Sequence, residues 1–279
     1  MTVNKNSSNN NKRKLVALYI ALILSIGLVV FFAAALVLDI HTTNRAQNFY
    51  STITVEFAPS PVTAQLQVQE GPVTAYGTTY QFYDYVYEYI PSILSPDFNL
   101  LQGQFPNVIG WVQSENTPIN YPIVQGTDNT FYLYNLPDGT RNRMGSIFMD
   151  YRNSANFSDT ITKIYGHNTH TDDMFSTLEQ YKSQYFFEQH PSMFIFTPHQ
   201  NYKLQLFAGY VLDSAFEVPP MHFLSYSYFY EFIADIKMRS LFTSDIVITY
   251  GDRIVLLCTC TTGGPRSERL IIAGKLIEI

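Results

Sequence analysis

The sequence is poor in cysteine, with two thiols, Cys258 and Cys260, among 279 residues. Small exported domains that depend on disulfides carry many more cysteines. These two lie two positions apart in a segment with the pattern of a strand, where a bridge would be strained and would close almost no loop. The scarcity of cysteine therefore excludes a fold held together by disulfides, and at least one thiol has another role.

Basic residues are also scarce beyond the N-terminus. Four of the 17 Lys and Arg and none of the 23 Asp and Glu lie in residues 1–38, so residues 39–279 carry 13 basic and 23 acidic side chains, a net charge of −10. Binding to phosphates needs a basic face, so nucleic acid is disfavoured as a partner. The spacing of the histidines resembles no metal-ligand pattern. We therefore expect neither a metal ion nor a cofactor.

One long apolar run lies near the N-terminus. Leu15–Leu38 contains 24 residues without a charge, which at about 1.5 Å per residue crosses a hydrocarbon core of roughly 30 Å. Lys12–Lys14 precede this run, so the positive-inside rule predicts a cytoplasmic tail over 1–14, an anchor over 15–38 and an extracellular domain. A cleaved signal peptide is the alternative. Its apolar region would be about 7–15 residues long, and the small residues Ala33–Ala35 keep that interpretation open.

The rest of the chain has two parts. Residues 39–105 are rich in tyrosine and proline without a clean period, and we expect a spacer and an N-terminal collar that is helical or irregular. Over 106–279, short apolar runs alternate with turn residues, which is typical of a closed all-β domain. The predicted strands are Gly110–Gln113, Tyr121–Val124, Ser146–Met149, Thr162–Tyr165, Met193–Thr197, Leu204–Leu212, Arg253–Thr259 and Leu270–Ile279.

Two segments between these strands have a helical period. In the first, apolar side chains recur at spacings of three and four, with Asp172 or Asp173 available as a cap: Met174, Leu178, Tyr181 and Tyr185. In the second, between the sixth and seventh strands, the recurring residues are Leu224, Tyr228, Phe232, Ile236 and Ser240. We therefore predict peripheral helices at both places.

Three separated residues carry the candidate chemistry. Cys260 ends an apolar strand, where a thiol at the mouth of a barrel is open to substrate. His167 follows a strand through Gly166, and imidazole transfers protons near neutral pH. Arg269 begins the next strand after a turn-rich loop, so its guanidinium can lower the pKa of a nearby thiol or hold an oxyanion. Taken alone, Cys260 is equally a buried, inert thiol, and Arg266 in the loop is the rival cation.

The order and spacing of several segments resemble those of sortases, and specifically of class B sortases. The resemblance covers roughly residues 105–279. The matching segments are Gly110-Trp111, Tyr121–Gly126, Gly145–Asn153, Ile164–Asn168, Met174-Phe175, Cys260 and Arg269–Leu276. The chain is thus identified as similar to a family of membrane-anchored cysteine transpeptidases.

The resemblance implies a mainly β fold, an eight-stranded sortase β-barrel with peripheral helices. The apolar run over 15–38 independently predicts an N-terminal transmembrane helix before it. It implies Cys260 as nucleophile, His167 as acid and base, and Arg269 as the residue that stabilises the oxyanion or orients substrate. Asn129 is similar in position to a substrate-contacting residue of the family. The segment from Leu212 to Leu241 would form much of the groove for the sorting motif.

The family's Thr-Leu-x-Thr-Cys motif is Leu-Leu-Cys-Thr-Cys here, which places a second thiol, Cys258, before Thr259. Residues two apart on a strand share a face, so we include Cys258 and Thr259 with Asn129 as candidate substrate-binding residues. Cys258 either packs in the core or forms a reversible sulfur adduct with Cys260. The loop segment Thr261–Pro265 contains no acidic side chain, so a carboxylate partner for His167 is not evident.

The implied activity is cleavage of a C-terminal sorting signal after threonine, followed by transfer of the protein to an amine. The implied partners are surface proteins that bear such a signal and an acceptor amine on a peptidoglycan precursor or a pilin. Two other functions stay open: a cysteine protease in which water resolves the thioester, and a non-catalytic surface module that binds a partner.

Overall fold

The computed structural model describes residues 5–58, 69–75, 78–84, 95–169, 173–213, 219–260 and 268–279. At residues 5–13, in the two strands between 69 and 84, and at residue 260, it describes the backbone only. The chain divides into two compact units, residues 1–49 and residues 50–279.

A single helix, α1 (Lys5–Phe57), accounts for the described part of the first unit and continues to the start of the second. Its apolar side chains are exposed, from Leu15 through Ile40. Among the described residues, one helical stretch, Lys14–Phe57, is long and apolar enough to cross a membrane by length and composition. It is therefore a candidate transmembrane segment, and it contains the predicted anchor.

The predicted spacer contains more regular structure than its sequence indicated. Two antiparallel strands, β1 (Gln69–Ala75) and β2 (Thr78–Asp84), form a hairpin. A short helix, α2 (Phe98–Gln104), follows, and the Asp97 carboxylate accepts hydrogen bonds from two amides of its first turn. The hairpin was not predicted, because its tyrosines and prolines obscure the two-residue alternation that marks a strand. The domain boundaries at 14, 38 and 105 stay predictions.

The remaining strands close into a barrel in the order β10-β8-β7-β3-β4-β5-β6-β9. Their bounds are β3 (Val108–Gln113), β4 (Asn120–Gln125), β5 (Ile147–Met149), β6 (Ile161–Tyr165), β7 (Ser192–Phe196), β8 (Asn201–Asp213), β9 (Arg253–Cys260) and β10 (Glu268–Glu278). The eight predicted strands and the barrel are therefore confirmed, with ends that differ from the predicted ones by at most three residues. Two neighbouring pairs, β4 with β5 and β6 with β9, are parallel.

The helix predicted between the sixth and seventh barrel strands is present as α4 (Tyr226–Met238). The Ser225 hydroxyl caps it by accepting a hydrogen bond from the Tyr228 amide. Its buried side chains, Phe229, Ile233 and Ile236, pack in one cluster with strand residues that include Cys258. This packing fixes α4 against the face of the barrel that carries β8, β9 and β10.

The first predicted helix is wrong in type and in its cap. A 3₁₀ helix runs over Ser176–Lys182, and a separate α-helix, α3 (Gln184–Gln189), follows. The buried side chains of Leu178 and Tyr181 are three apart, which matches the three residues per turn of a 3₁₀ helix. Within the described residues, no side chain caps this helix, so Asp173 is not a cap. Asp172 lies outside the described residues.

Candidate active site

The backbone brings three predicted catalytic positions to one end of the barrel. In the parallel pair β6–β9, Tyr165 lies opposite Cys258, and the Gly166 amide donates to the Cys258 carbonyl at 3.1 Å. In the antiparallel pair β9–β10, Arg269 lies directly opposite Cys260. Neighbouring strands are about 4.8 Å apart. The end of β9 is thus flanked by His167 on one side and by Arg269 on the other. The rival Arg266 lies outside the described residues.

His167 is half-buried and held by main-chain contacts on both sides. Its Nε2 lies 2.7 Å from the Leu133 carbonyl oxygen. Because a carbonyl only accepts, Nε2 carries the proton of this hydrogen bond, and Nδ1 is the nitrogen left for proton exchange. The His167 carbonyl accepts from the Phe175 amide at 3.0 Å. The role of Leu133 was not predicted from the sequence. The group that binds the imidazole is a main-chain carbonyl, which any residue type supplies.

Gly166 allows the chain to turn from β6 into the His167 position. A Cβ on Gly166 would lie 2.5 Å from Ile147 Cδ1 and 2.7 Å from the Phe175 ring. These distances are shorter than side chains tolerate, so glycine is needed to keep the imidazole-bearing segment close to β5 and to the Phe175 ring. Glycine before His167 therefore has a steric role in placing the imidazole.

Arg269 is half-buried at the start of β10, and its Nη1 donates to the Glu268 carbonyl at 3.0 Å. Burial raises the pKa of the nearby Cys258 thiol, and the positive charges of Lys163 and Arg269 act against that rise. The guanidinium therefore acts electrostatically on the thiol-bearing strand β9, as a cation placed beside a thiolate would.

Cys258 lies in the core, with 5% of its surface exposed. Burial raises the pKa of its thiol to about 12 against the opposing effect of the Lys163 and Arg269 charges. Its Sγ lies 3.6 Å from the Leu256 carbonyl oxygen. Of the two roles left open by the sequence, packing is the one that this burial favours. Thr259 is also buried, and its hydroxyl has no hydrogen-bond partner among the described residues.

The Asn129 side chain forms hydrogen bonds with the main chain and with a charged side chain. Its Oδ1 accepts from the Tyr151 amide at 3.0 Å, and its side chain also bonds Asp150. The buried Asp150 carboxylate forms a bidentate pair with Arg152 and accepts from the Tyr165 hydroxyl at 3.0 Å. Burial would raise the pKa of Asp150, but these hydrogen bonds together hold it well below its usual range. A role for Asn129 or Thr259 in substrate binding stays a prediction.

Lys163 connects β6 to the segment that leads into α4. It is 1% exposed, and its ammonium donates to the Pro219 carbonyl. Burial lowers the pKa of this lysine, partly offset by nearby negative charge. The sequence did not single it out, since a lysine in a strand is normally solvent-exposed. Across the described ranges, no group of three or more His, Cys, Asp or Glu side chains is placed to hold a metal ion.

A closed eight-stranded barrel that gathers a cysteine, a histidine and an arginine at three neighbouring strand ends is the arrangement implied by the resemblance to sortases. No protein-family model matches the chain. Two curated relatives match the chain. The chain is 35% identical to sortase B of Listeria monocytogenes over 178 residues, 63% of this chain and 72% of the relative. It is 31% identical to sortase B of Staphylococcus aureus over 185 residues, 66% and 76% of the two chains.

Solved structures give the same result. A Staphylococcus aureus sortase B–substrate complex matches with a TM-score of 0.62 at 31% identity, covering 65% of this chain and 85% of that one. Sortase B complexed with triglycine matches with a TM-score of 0.60 at 31% identity, covering 65% and 86%. The chain belongs to the sortase B family. Its relatives indicate that it is a cysteine transpeptidase.

Proposed function

We propose that this protein is a membrane-anchored transpeptidase that cleaves a C-terminal sorting signal after threonine and transfers the protein to an amine. Cys260 is the nucleophile, His167 the acid and base, and Arg269 the group that stabilises the oxyanion. The observation that carries this proposal is the strand register, which aligns Arg269 with Cys260 and brings His167 to the same end of β9. The acceptor amine belongs to a peptidoglycan precursor or a pilin.

The reaction begins after His167 Nδ1 has taken the thiol proton of Cys260. The sulfur forms a bond to the threonine carbonyl carbon, and the carbonyl electron pair moves onto an oxygen that Arg269 stabilises. The tetrahedral intermediate collapses, the carbon–nitrogen bond breaks, and His167 gives its proton to the departing amine, which leaves a thioester. The acceptor amine then attacks the thioester and gives a proton to His167, and the Cys260 sulfur departs.

Two observations on relatives support the choice of substrates. One solved sortase B is a substrate complex and another holds triglycine, a peptide with a free amine. An amine acceptor favours transfer over hydrolysis, because an amine competes with water for the thioester. We propose the same two classes of substrate here.

The exposed apolar part of α1 supports a membrane location. Residues 1–14 form a cytoplasmic tail, 15–38 the anchor, 39–105 the spacer and collar, and 106–279 the catalytic domain on the extracellular side. Lys12–Lys14 set this orientation. A membrane anchor suits substrates that are themselves tethered, because it raises their effective concentration at the site.

The proposal is tested on the full chain in detergent with a quenched fluorescent pentapeptide library that contains an internal threonine, with and without triglycine. We expect the peptide–triglycine product, and a thioester on Cys260 in mass spectra when triglycine is omitted. Cys260→Ala should lower turnover by about 10⁴-fold or more, whereas Cys258→Ala serves as the control thiol. If triglycine does not enter the product and the peptide is only hydrolysed, the protease alternative is correct. If Cys260→Ala keeps the full function of the protein, the non-catalytic module is correct.

A further inference from the structure

The Leu133 carbonyl that accepts from His167 lies in the loop of residues 131–146. Main-chain hydrogen bonds connect the two sides of this loop. The Ser146 amide donates to the Tyr132 carbonyl at 2.9 Å, and the Asn142 amide donates to the Tyr134 carbonyl at 2.8 Å. Leu133 lies between these two anchored residues. The direction of its carbonyl is therefore set by the opposite side of the loop rather than by its own side chain.

Gly145 is the residue that packs against this carbonyl. Its φ is +59°, in the region that favours glycine. A Cβ at this position would lie 2.5 Å from the Leu133 oxygen and 2.8 Å from the Tyr132 oxygen. The Leu133 oxygen that binds the imidazole therefore occupies space that glycine alone leaves open.

Tyr50 holds Gly145 from outside the barrel. Its hydroxyl donates to the Gly145 carbonyl at 2.6 Å, and the side chain is buried. A tyrosine hydroxyl carries its proton near neutral pH and a carbonyl only accepts, so the hydroxyl is the donor of this bond. The Tyr50 ring also meets the Tyr121 ring edge-on, with centroids 5.3 Å apart.

The contact with Tyr121 reaches the other side of His167. The Tyr121 hydroxyl accepts from the Met174 amide at 3.0 Å, and Met174 forms a β-bridge with Asn168, the residue after His167. Tyr50 thus supports both the carbonyl that binds the imidazole and the bridge that holds the chain beyond it.

We propose that Tyr50 is a positioning residue for His167, which acts through Gly145 to aim the Leu133 carbonyl and so selects the Nε2–H tautomer. This inference rests on the proposed role of His167. With the proton on Nε2, Nδ1 presents a lone pair to the thiol. The opposite tautomer would leave the Leu133 carbonyl without its donor and would place a proton where the lone pair is needed.

The test compares Tyr50→Phe with Tyr181→Phe in the full chain. Tyr181 is a matched control because its buried hydroxyl also donates to a main-chain carbonyl, that of His190, at 2.9 Å. Side-chain ¹⁵N shifts of His167 report the tautomer without any substrate. We expect Nε2–H in the unchanged protein and in Tyr181→Phe, and a mixture of tautomers in Tyr50→Phe. Turnover of the threonine peptide library with triglycine should fall about threefold to tenfold relative to Tyr181→Phe.

A second pair of variants tests the same contact from the loop. Gly145→Ala pushes on the Leu133 oxygen, whereas Gly139→Ala sits at φ +80° with no atom within 4 Å of the added Cβ. Gly145→Ala should shift the His167 tautomer, and Gly139→Ala should not. An unchanged tautomer in both Tyr50→Phe and Gly145→Ala overturns the inference, even if turnover falls. Full turnover in His167→Ala would instead contradict the proposed function. The tautomer measurement is independent of that result, because it uses no substrate.

Discussion

At the scale of single residues, the two cysteines occupy different positions on β9, although they are two residues apart. Cys258 is buried in the cluster that α4 covers, and its pKa of about 12 keeps it protonated. Cys260 ends the strand opposite Arg269, a cation that favours a thiolate. Reactivity follows the thiolate, so we expect one reactive cysteine rather than a pair.

This expectation predicts a single adduct with a methanethiosulfonate reagent in the native protein. Intact mass and peptide mapping should locate it on Cys260, and Cys258→Ala should react at the rate of the unchanged chain. In denaturant a second adduct should appear, on Cys258, because unfolding exposes that thiol. Labelling of Cys258 in the folded protein at a rate close to that of Cys260 would contradict its burial.

Asp150 gives a prediction for acid stability. Its pKa is lowered in the folded state, so the folded protein gains stability from the carboxylate above the unfolded pKa of about 4 and loses that stability as the pH falls. We expect Asp150→Asn to lower the free energy of unfolding by about 1.5–3 kcal/mol at pH 7. The difference from the unchanged protein should shrink between about pH 5 and pH 2.

Asp235→Asn is the control for this titration. Asp235 pairs with Arg239 on the surface of α4, with 46% of its side chain exposed. Exposed pairs contribute roughly 0–1 kcal/mol, so urea unfolding of this variant should stay close to that of the unchanged protein at each pH. An equal loss in both variants would mean that the buried position of Asp150 has no special effect.

At the scale of elements, the segment before α4 is held to the barrel by a lysine rather than by a strand. Lys163 on β6 donates to the Pro219 carbonyl, and β6 also leads to His167. The predicted wall of the substrate groove and the imidazole therefore share one strand as their support. We therefore expect a change in this contact to alter the predicted groove without removing Cys260, His167 or Arg269.

Lys163→Met keeps most of the side-chain volume and removes the hydrogen bond to Pro219. We expect faster amide hydrogen exchange at residues 221–225 and a higher KM for the peptide library, with a smaller change in kcat. Lys237→Met is the matched control, because Lys237 also donates to a main-chain carbonyl, that of Ile246, at 2.7 Å. In that variant the faster exchange should appear near Ile246 instead. Equal exchange at 221–225 in both variants would refute the role of Lys163.

Elements differed in how far the sequence predicted them. The eight strands were predictable because short apolar runs ended in turn residues, and α4 because its apolar residues recur at helical spacing. The position of Arg269 beside Cys260 was predictable as well, because the two residues lie on consecutive strands joined by a short loop. The pairing of β6 with β9 joins segments that residues 166–252 separate, and the sequence does not show it. The binding of His167 by a main-chain carbonyl has no signature in residue type. The hairpin β1–β2 was missed because its composition does not alternate.

At the scale of the whole molecule, the division of the chain into residues 1–49 and 50–279 leaves the apolar run of α1 in one unit and the barrel in the other. The last turns of α1, from Tyr50 to Phe57, belong to the barrel unit and include the hydroxyl that donates to Gly145. Truncation after residue 38 therefore removes the predicted anchor and leaves the barrel unit whole, whereas truncation after residue 58 also removes Tyr50.

Two truncations test this. Removal of residues 1–38 should abolish sedimentation with phospholipid vesicles and leave turnover of the soluble peptide within about twofold, because the barrel unit is intact. Removal of residues 1–58 also deletes Tyr50 and should lower turnover further, with the melting temperature measured alongside. Equal turnover in the two truncated proteins would show that the end of α1 does not contribute to catalysis.

The parallel pairing of β6 with β9 has a consequence for the order in which the barrel is completed. Residues 166–252 separate these strands along the chain, and β10, which carries Arg269, comes last. Closing such a long connection is slow, because its entropy is lost before the contacts form. On the proposed topology, a polypeptide whose β10 has not yet crossed the membrane lacks Arg269 beside Cys260, so the proposed active site is complete only after the final strand has arrived.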